Sequence, residues 1–416
     1  MSTTARRAES GIARIGVATA IGSLAGYALL ALVGRALGPA EFGLFVAFWG
    51  VLFGLGSSLS TIEQETARRA ASDVADETGP PTSAVTTAAA AIAGLAAATT
   101  LLPPVAERLY GQADSWIGLV VVIAALGFAA QFAVRGLLVG SGAVRSYSWL
   151  LVAEAALRLV VLLAFLALLD LDLQTAAIAV AAGSFAWLGW AARSSEALPG
   201  RELSRTTWWP AAARAGSLMA GAALTASIIT GFPTLVTALT DEAPGAAGGA
   251  VFAAITVSRV PLLLFSPVQA VAVPYVVRAH GRASAEGPSA LRRMLLLGTV
   301  AFVALGAVAA AVAWVAGPWV VRLVYGDAYE VPAPAIALLV LSACLLAWVQ
   351  LLSAALIALS AHRGMLVTWA VAVASTVAWL VVSPLDVVAT TAVGSLVGPV
   401  AALFCAIPML WRLARK

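Results

Sequence analysis

The chain has 416 residues, of which 62% are hydrophobic and only 11% charged, with a formal net charge of +4. That composition excludes a soluble protein with an apolar core and polar shell, and the basic excess has no soluble domain on which to form a nucleic-acid patch. Two cysteines, Cys344 and Cys405, both fall inside apolar stretches, which argues against a disulfide or a metal cluster.

In chain order, twelve apolar stretches are long enough to cross about 30 Å of hydrocarbon as helices. They cover 12–34, 42–61, 85–106, 115–139, 147–169, 175–193, 215–240, 250–276, 294–316, 330–360, 366–384 and 390–411. The first is expected to be an uncleaved helix, since no small-residue cleavage site closes a short apolar segment behind Arg6 and Arg7. The gaps alternate in charge. All but five of the 24 basic residues fall on the side of the N-terminus, the exceptions being Arg35, Arg108 and Arg322 opposite and Arg158 and Arg259 within spans. Positive loops are retained in the cytoplasm, so both termini are expected inside. The expected fold class is therefore an all-α integral membrane protein.

The polar gap around Pro199, Gly200 and Trp208-Trp209-Pro210 lies near the midpoint and predicts two six-helix lobes, 1–193 and 215–416, joined by a cytoplasmic connector at 194–214. Short matches support a duplication. Tyr110-Gly111 and Tyr325-Gly326 each follow an apolar helix, and Ser141–Arg145 has a counterpart in Ser360–Arg363. Six spans per half makes the repeat parallel, a design in which transporters place the substrate path between halves.

Candidate functional residues are those that break the pattern, because a charge at mid-membrane costs at least about 2.5–3.5 kcal/mol and needs a partner or water. Glu154 and Arg158 are four residues apart on the fifth span, on one helical face. They form either a self-neutralising structural pair or the wall of a hydrated cavity. Arg259 precedes Pro261, Pro267 and Pro274, which predict a bent helix suited to gating. Arg14 is close enough to a span end to snorkel. Glu63 and Glu65 with Arg68 and Arg69 read as a solvated ion-pair face, and Gln131, Gln269 and Gln350 as path-lining or interhelical groups. The histidines, His280 and His362, lie in gaps where neither a metal nor an acid–base role is expected, and no phosphate-binding loop is present.

The segment Gly34-Arg35-Ala36-Leu37-Gly38-Pro39-Ala40-Glu41-Phe42-Gly43 resembles the turn after the first span in bacterial Wzx-type polysaccharide flippases (O-antigen and teichoic acid export) of the multidrug/oligosaccharidyl-lipid/polysaccharide exporter superfamily. Similar too are Glu63-x-Glu65-Thr66-Ala67-Arg68, Arg135-Gly136-Leu137-Leu138-x-Gly140, the Glu154/Arg158 pair and the Arg259-to-Pro274 span. The resemblance implies a MATE-like flippase architecture in the bacterial cytoplasmic membrane. It implies movement of an undecaprenyl-pyrophosphate-linked glycan to the outer leaflet by alternating access. Arg158, Arg259, Glu154, Arg14 and Arg35 are then the expected substrate-binding residues, with Pro261, Pro267 and Pro274 in the gate. No catalytic residue, metal or cofactor is implied, only coupling to an H⁺ or Na⁺ gradient; the expected partners are the lipid-linked glycan, membrane lipids and polysaccharide assembly proteins. An organic-cation or drug antiporter of the same superfamily is the first alternative. A membrane polysaccharide polymerase or ligase is the second, disfavoured by the shortness of the external loops.

Overall fold

A computed structural model describes residues 3–71, 80–111, 116–194, 198, 205–240, 245–260 and 289–413. Among these every regular element is helical: α1 (Thr3–Ala71), α2 (Thr82–Ala98), α3 (Pro103–Tyr110), α4 (Trp116–Gly140), α5 (Val144–Leu168), α6 (Leu173–Ala182), α7 (Arg205–Ile229), α8 (Phe232–Leu239), α9 (Gly245–Ser258), α10 (Ser289–Tyr325), α11 (Ala333–Ala358), α12 (His362–Val382) and α13 (Val387–Leu413). Among the described residues ten helices are long and apolar enough to cross a membrane.

The first of these, Ala13–Ala71, has 59 residues. At 1.5 Å per residue it would run about 89 Å, far more than one bilayer crossing. It is divided at Gly38, whose φ of 73° and ψ of 172° interrupt the helix just before Pro39. The third expected span is likewise interrupted, with Leu102 extended between a short 3-10 turn and Pro103 at the start of α3. The sixth opens on a capping box, in which Asp172 accepts from the Thr175 N–H and Thr175 returns the bond. It then changes winding from α to 3-10 at Gly183–Arg193.

The chain forms two compact units. The first comprises Met1–Leu37 with Leu44–Thr234, the second Gly38–Gly43 with Leu235–Lys416. In the first, α2 packs on α4 and on α7, the helix that begins within the expected connector, while α4 and α5 both pack on the 3-10 segment. In the second, α11 packs on α10 and α13, and α12 on α13. Here Phe42, fully buried, meets Tyr325 and Tyr329 with ring centroids 5.1 and 5.9 Å away.

The same two turns occur in both units. After α3, Gly111 (φ 70°) donates to the Glu107 carbonyl; after α10, Gly326 (φ 108°) donates to that of Arg322. Between α4 and α5, Ala143 N–H reaches back to Leu138 and Gly142 to Val139, at 2.8 and 3.1 Å. Between α11 and α12, Ala361 reaches Leu356 and Ser360 reaches Ile357, at 2.8 and 2.9 Å. Both are Schellman closures with a left-handed residue, Gly142 at φ 75° and Ser360 at φ 58°. The recurrence extends the sequence match to the hydrogen bonds themselves.

Candidate functional site

The expected Glu154/Arg158 pair is formed, and it is one part of a larger network inside the first unit. Close approach of α4 to the end of α1 builds it. A Cβ on Gly136 would stand 2.5 Å from the Glu63 carbonyl, and one on Gly140 equally close to that of Ala67. Only glycine lets the two backbones come this near. The segments Glu63–Arg68 and Arg135–Gly140, separate in sequence, are thus two faces of one helix contact.

That contact brings Arg135 Nε to 3.0 Å from Glu63 Oε2, and Arg135 Nη1 to 3.6 Å from Glu154 Oε2. Glu154 Oε1 accepts from Arg158 Nη2, and Arg158 Nε donates to the Val180 carbonyl at 3.3 Å. The Tyr147 hydroxyl donates to Glu63 Oε1 at 2.7 Å. Charges alternate along the series Glu63, Arg135, Glu154, Arg158 and sum to zero. All four side chains are at most 15% exposed. The guanidiniums also lie on aromatic rings: Arg158 is 4.9 Å from the Phe53 centroid and 5.8 Å from Phe128, Arg135 4.9 Å from Phe132 and 5.7 Å from Tyr147. Cation–π contact adds to the pairing where water is excluded.

The acids after the second span depart from the expected solvated face. Glu63 turns into the network, and Glu65, only 7% exposed, gathers Arg68, Arg69 and Arg214 at 3.2, 2.7 and 2.9 Å. The reason is the partner helices: α4 and α7 supply the cations Arg135 and Arg214, and α5 the Tyr147 hydroxyl, none of which the local i,i+3 and i,i+4 spacing reveals. Arg135, Tyr147 and Phe53 were therefore not recognisable as network members. The one available signal was an arginine beside two glycines four residues apart.

Other expected site residues lie apart from the network. Arg14 is exposed on α1, and Arg35 is exposed one turn before the Gly38 break. Arg259, half-buried in the second unit, follows the end of α9, its N–H bonded to Ile255 and Thr256 carbonyls. Pro261, Pro267, Pro274, Gln269 and His280 lie outside the described residues. Gln131 is fully buried on α4, with neither amide atom partnered. Among the described residues no group of acids, histidines and cysteines is placed to hold a metal ion.

No protein-family model matches the chain. Two proteins of Mycobacterium tuberculosis strain H37Rv are similar along almost all of it. The uncharacterized protein Rv1510 is 30% identical over 397 residues, covering 94% of this chain and 89% of that protein. The uncharacterized protein Rv3630 is 29% identical over 402 residues, covering 94% and 90%. Among solved structures, an inward-facing multidrug resistance MATE family transporter of the MOP superfamily aligns over 97% of this chain and 98% of its own, with 16% identity and a TM-score of 0.68. A MOP superfamily transporter from Pyrococcus furiosus, described as having a binding pocket of reversed polarity, aligns over 98% and 96%, with 16% identity and a TM-score of 0.54. The apolar helices and these neighbours make the chain a multi-pass membrane protein with the fold of MATE transporters, and its identity to Rv1510 shows that it belongs to that protein's family.

Proposed function

We propose that this protein is a flippase of the bacterial cytoplasmic membrane. By alternating access it moves polyprenyl-pyrophosphate-linked oligosaccharide from the cytoplasmic to the outer leaflet for cell-surface polysaccharide synthesis. The observation that carries this reading is the Glu63–Arg135–Glu154–Arg158 network in a bundle of otherwise apolar helices. Polar groups inside a membrane protein are expensive and mark substrate paths, and a sugar head group cannot cross hydrocarbon without such a path. Arg158 and Glu154 are its substrate-contacting or coupling groups, Arg259 a second contact in the other unit, and Arg14 and Arg35 contacts nearer the span ends. An H⁺ or Na⁺ gradient supplies the energy, and the partners are the lipid-linked glycan, the surrounding lipids and polysaccharide assembly proteins.

Deleting the gene tests it. The expected result is lipid-linked oligosaccharide accumulating in the inner leaflet, reversed by the wild-type gene and not by Arg158→Ala. Normal export in the deletion strain, or full complementation by Arg158→Ala, overturns the reading.

A second reading, ion-coupled export of organic cations or drugs, is favoured by one observation. Two carboxylates, Glu63 and Glu154, are held inside the first unit, where a cation or a proton can exchange with an arginine partner. Drug sensitivity of the deletion strain without glycan accumulation would select it.

A further inference from the structure

The sugar and the diphosphate of a lipid-linked glycan are chemically different ligands, and the charge balance of the network separates them. Each of its two guanidiniums faces a carboxylate, so a diphosphate arriving there meets Glu63 and Glu154 as well as Arg135 and Arg158. A neutral ligand meets no such opposition. Arg158 commits Nη2 to Glu154 and Nε to Val180. Among the described residues Nη1 has no hydrogen-bond partner, and 12% of the side chain is open. Beside it, Phe53 is stacked on Trp49 with centroids 4.2 Å apart. These two rings are half-buried, whereas Phe45, Phe48 and Phe128 are fully buried. An accessible aromatic edge next to one unpaired donor suits a pyranose, which offers an apolar C–H face and acceptor hydroxyls together.

The placement of Arg158 has a structural origin. Its side chain lies across Gly183, where a Cβ would stand 2.6 Å from Arg158 Cγ and 3.0 Å from Cδ. The same glycine is where the helix changes from α to 3-10, one turn after the Val180 carbonyl that Arg158 Nε contacts.

We propose that Arg158 Nη1, with the Trp49–Phe53 rings, binds an uncharged hydroxyl-bearing sugar ring and not the diphosphate, and that Gly183 is the positioning residue that seats Arg158. The inference rests on the glycan reading above for the identity of the ligand. Full-length protein in nanodiscs is titrated, with thermal unfolding as readout. One probe is oligosaccharide released by mild acid from the host's lipid-linked pool, the other inorganic pyrophosphate. The expected result is that Arg158→Gln and Gly183→Ala each raise the half-saturating oligosaccharide concentration by about tenfold or more. Any pyrophosphate response is unchanged by both variants. The proposal is overturned if oligosaccharide gives no response, if its response survives Arg158→Gln, or if the pyrophosphate response falls with that variant. Oligosaccharide binding through Arg158 in a protein whose deletion leaves export intact would sink the flippase reading and leave the sugar site standing. Inner-leaflet accumulation without such binding would do the reverse.

Discussion

Glu154 is the residue on which the network turns, because both arginines reach it. Removing it takes from the buried Arg158 guanidinium its carboxylate partner while Arg135 keeps Glu63, whereas removing Arg158 leaves Glu154 still paired with Arg135. Breaking a buried pair from one side costs about 3–5 kcal/mol. Glu154→Ala is therefore expected to cost about 3 kcal/mol and Arg158→Ala clearly less, measured as unfolding in mild detergent; equal losses would refute the hub role. Asp172 gives a second test, of pH dependence. Slight burial opposes its charge, but the Thr175 N–H and hydroxyl and the Gln174 N–H outweigh that and hold the carboxyl below its ordinary value of 3.8. A depressed folded-state pKa means that the stabilisation is complete above the ordinary value and is lost as pH falls through the folded one. Wild type should thus lose part of the capping stabilisation in strongly acidic solution. Asp172→Asn should show no such loss over the same range, and an identical acid limb in both proteins would exclude this cap as its source.

At the scale of elements, the contact between α1 and α4 depends on two residues without side chains. Gly136→Ala and Gly140→Ala each push a methyl into backbone, which cannot rotate away, and each should cost about 1–3 kcal/mol. Both should also weaken the Arg135–Glu63 contact, so the loss in Gly136→Ala should shrink when Arg135→Ala is already present; full additivity would contradict this. This contact also marks how far the sequence could be read. The all-helical, membrane-crossing character was legible because twenty apolar residues have few alternatives, and Glu154/Arg158 because both lie on one helix. Glu63 was not, since Arg135 and Tyr147 are distant in the chain and nothing in its local spacing points to them. The winding change at Gly183 was hidden for a similar reason. An 11-residue 3-10 stretch reads as ordinary helix until the side chain crossing it is known.

At the scale of the whole molecule, the repeated turns are carried by different residues in the two units, and this makes the duplication testable. Gly142 adopts its left-handed conformation freely, whereas Ser360 holds φ 58° against a steric penalty. Gly142→Ala should cost about 1–2 kcal/mol. Ser360→Gly should be neutral or stabilising by under about 1 kcal/mol, the relief of strain offset by a more flexible unfolded chain. Opposite signs in a thermal unfolding series would show one turn serving both halves; a marked loss in Ser360→Gly would mean that the serine hydroxyl matters more than the backbone. The halves have diverged most in charge. Counting 218 residues on, as the shared turn does, the positions of Arg135, Glu154 and Arg158 hold Ser353, Ala372 and Thr376. The Ser353 and Thr376 hydroxyls are buried without partners. Among the described residues the ionic network thus belongs to the first unit.

The i,i+4 placement of Glu154 and Arg158 also bears on how the protein is made. A helix leaving the translocon meets lipid before its neighbours have arrived, and a lone central arginine or acid then costs about 2.5–3.5 kcal/mol. The stretch of α5 beyond Arg145 carries its own counterion and can partition as an electrically neutral segment, whereas α4 must find Glu63 on the earlier α1 to satisfy Arg135. The order of elements in the chain is then an order of charge compensation during biosynthesis: acid first, arginine next, and last a segment already neutral.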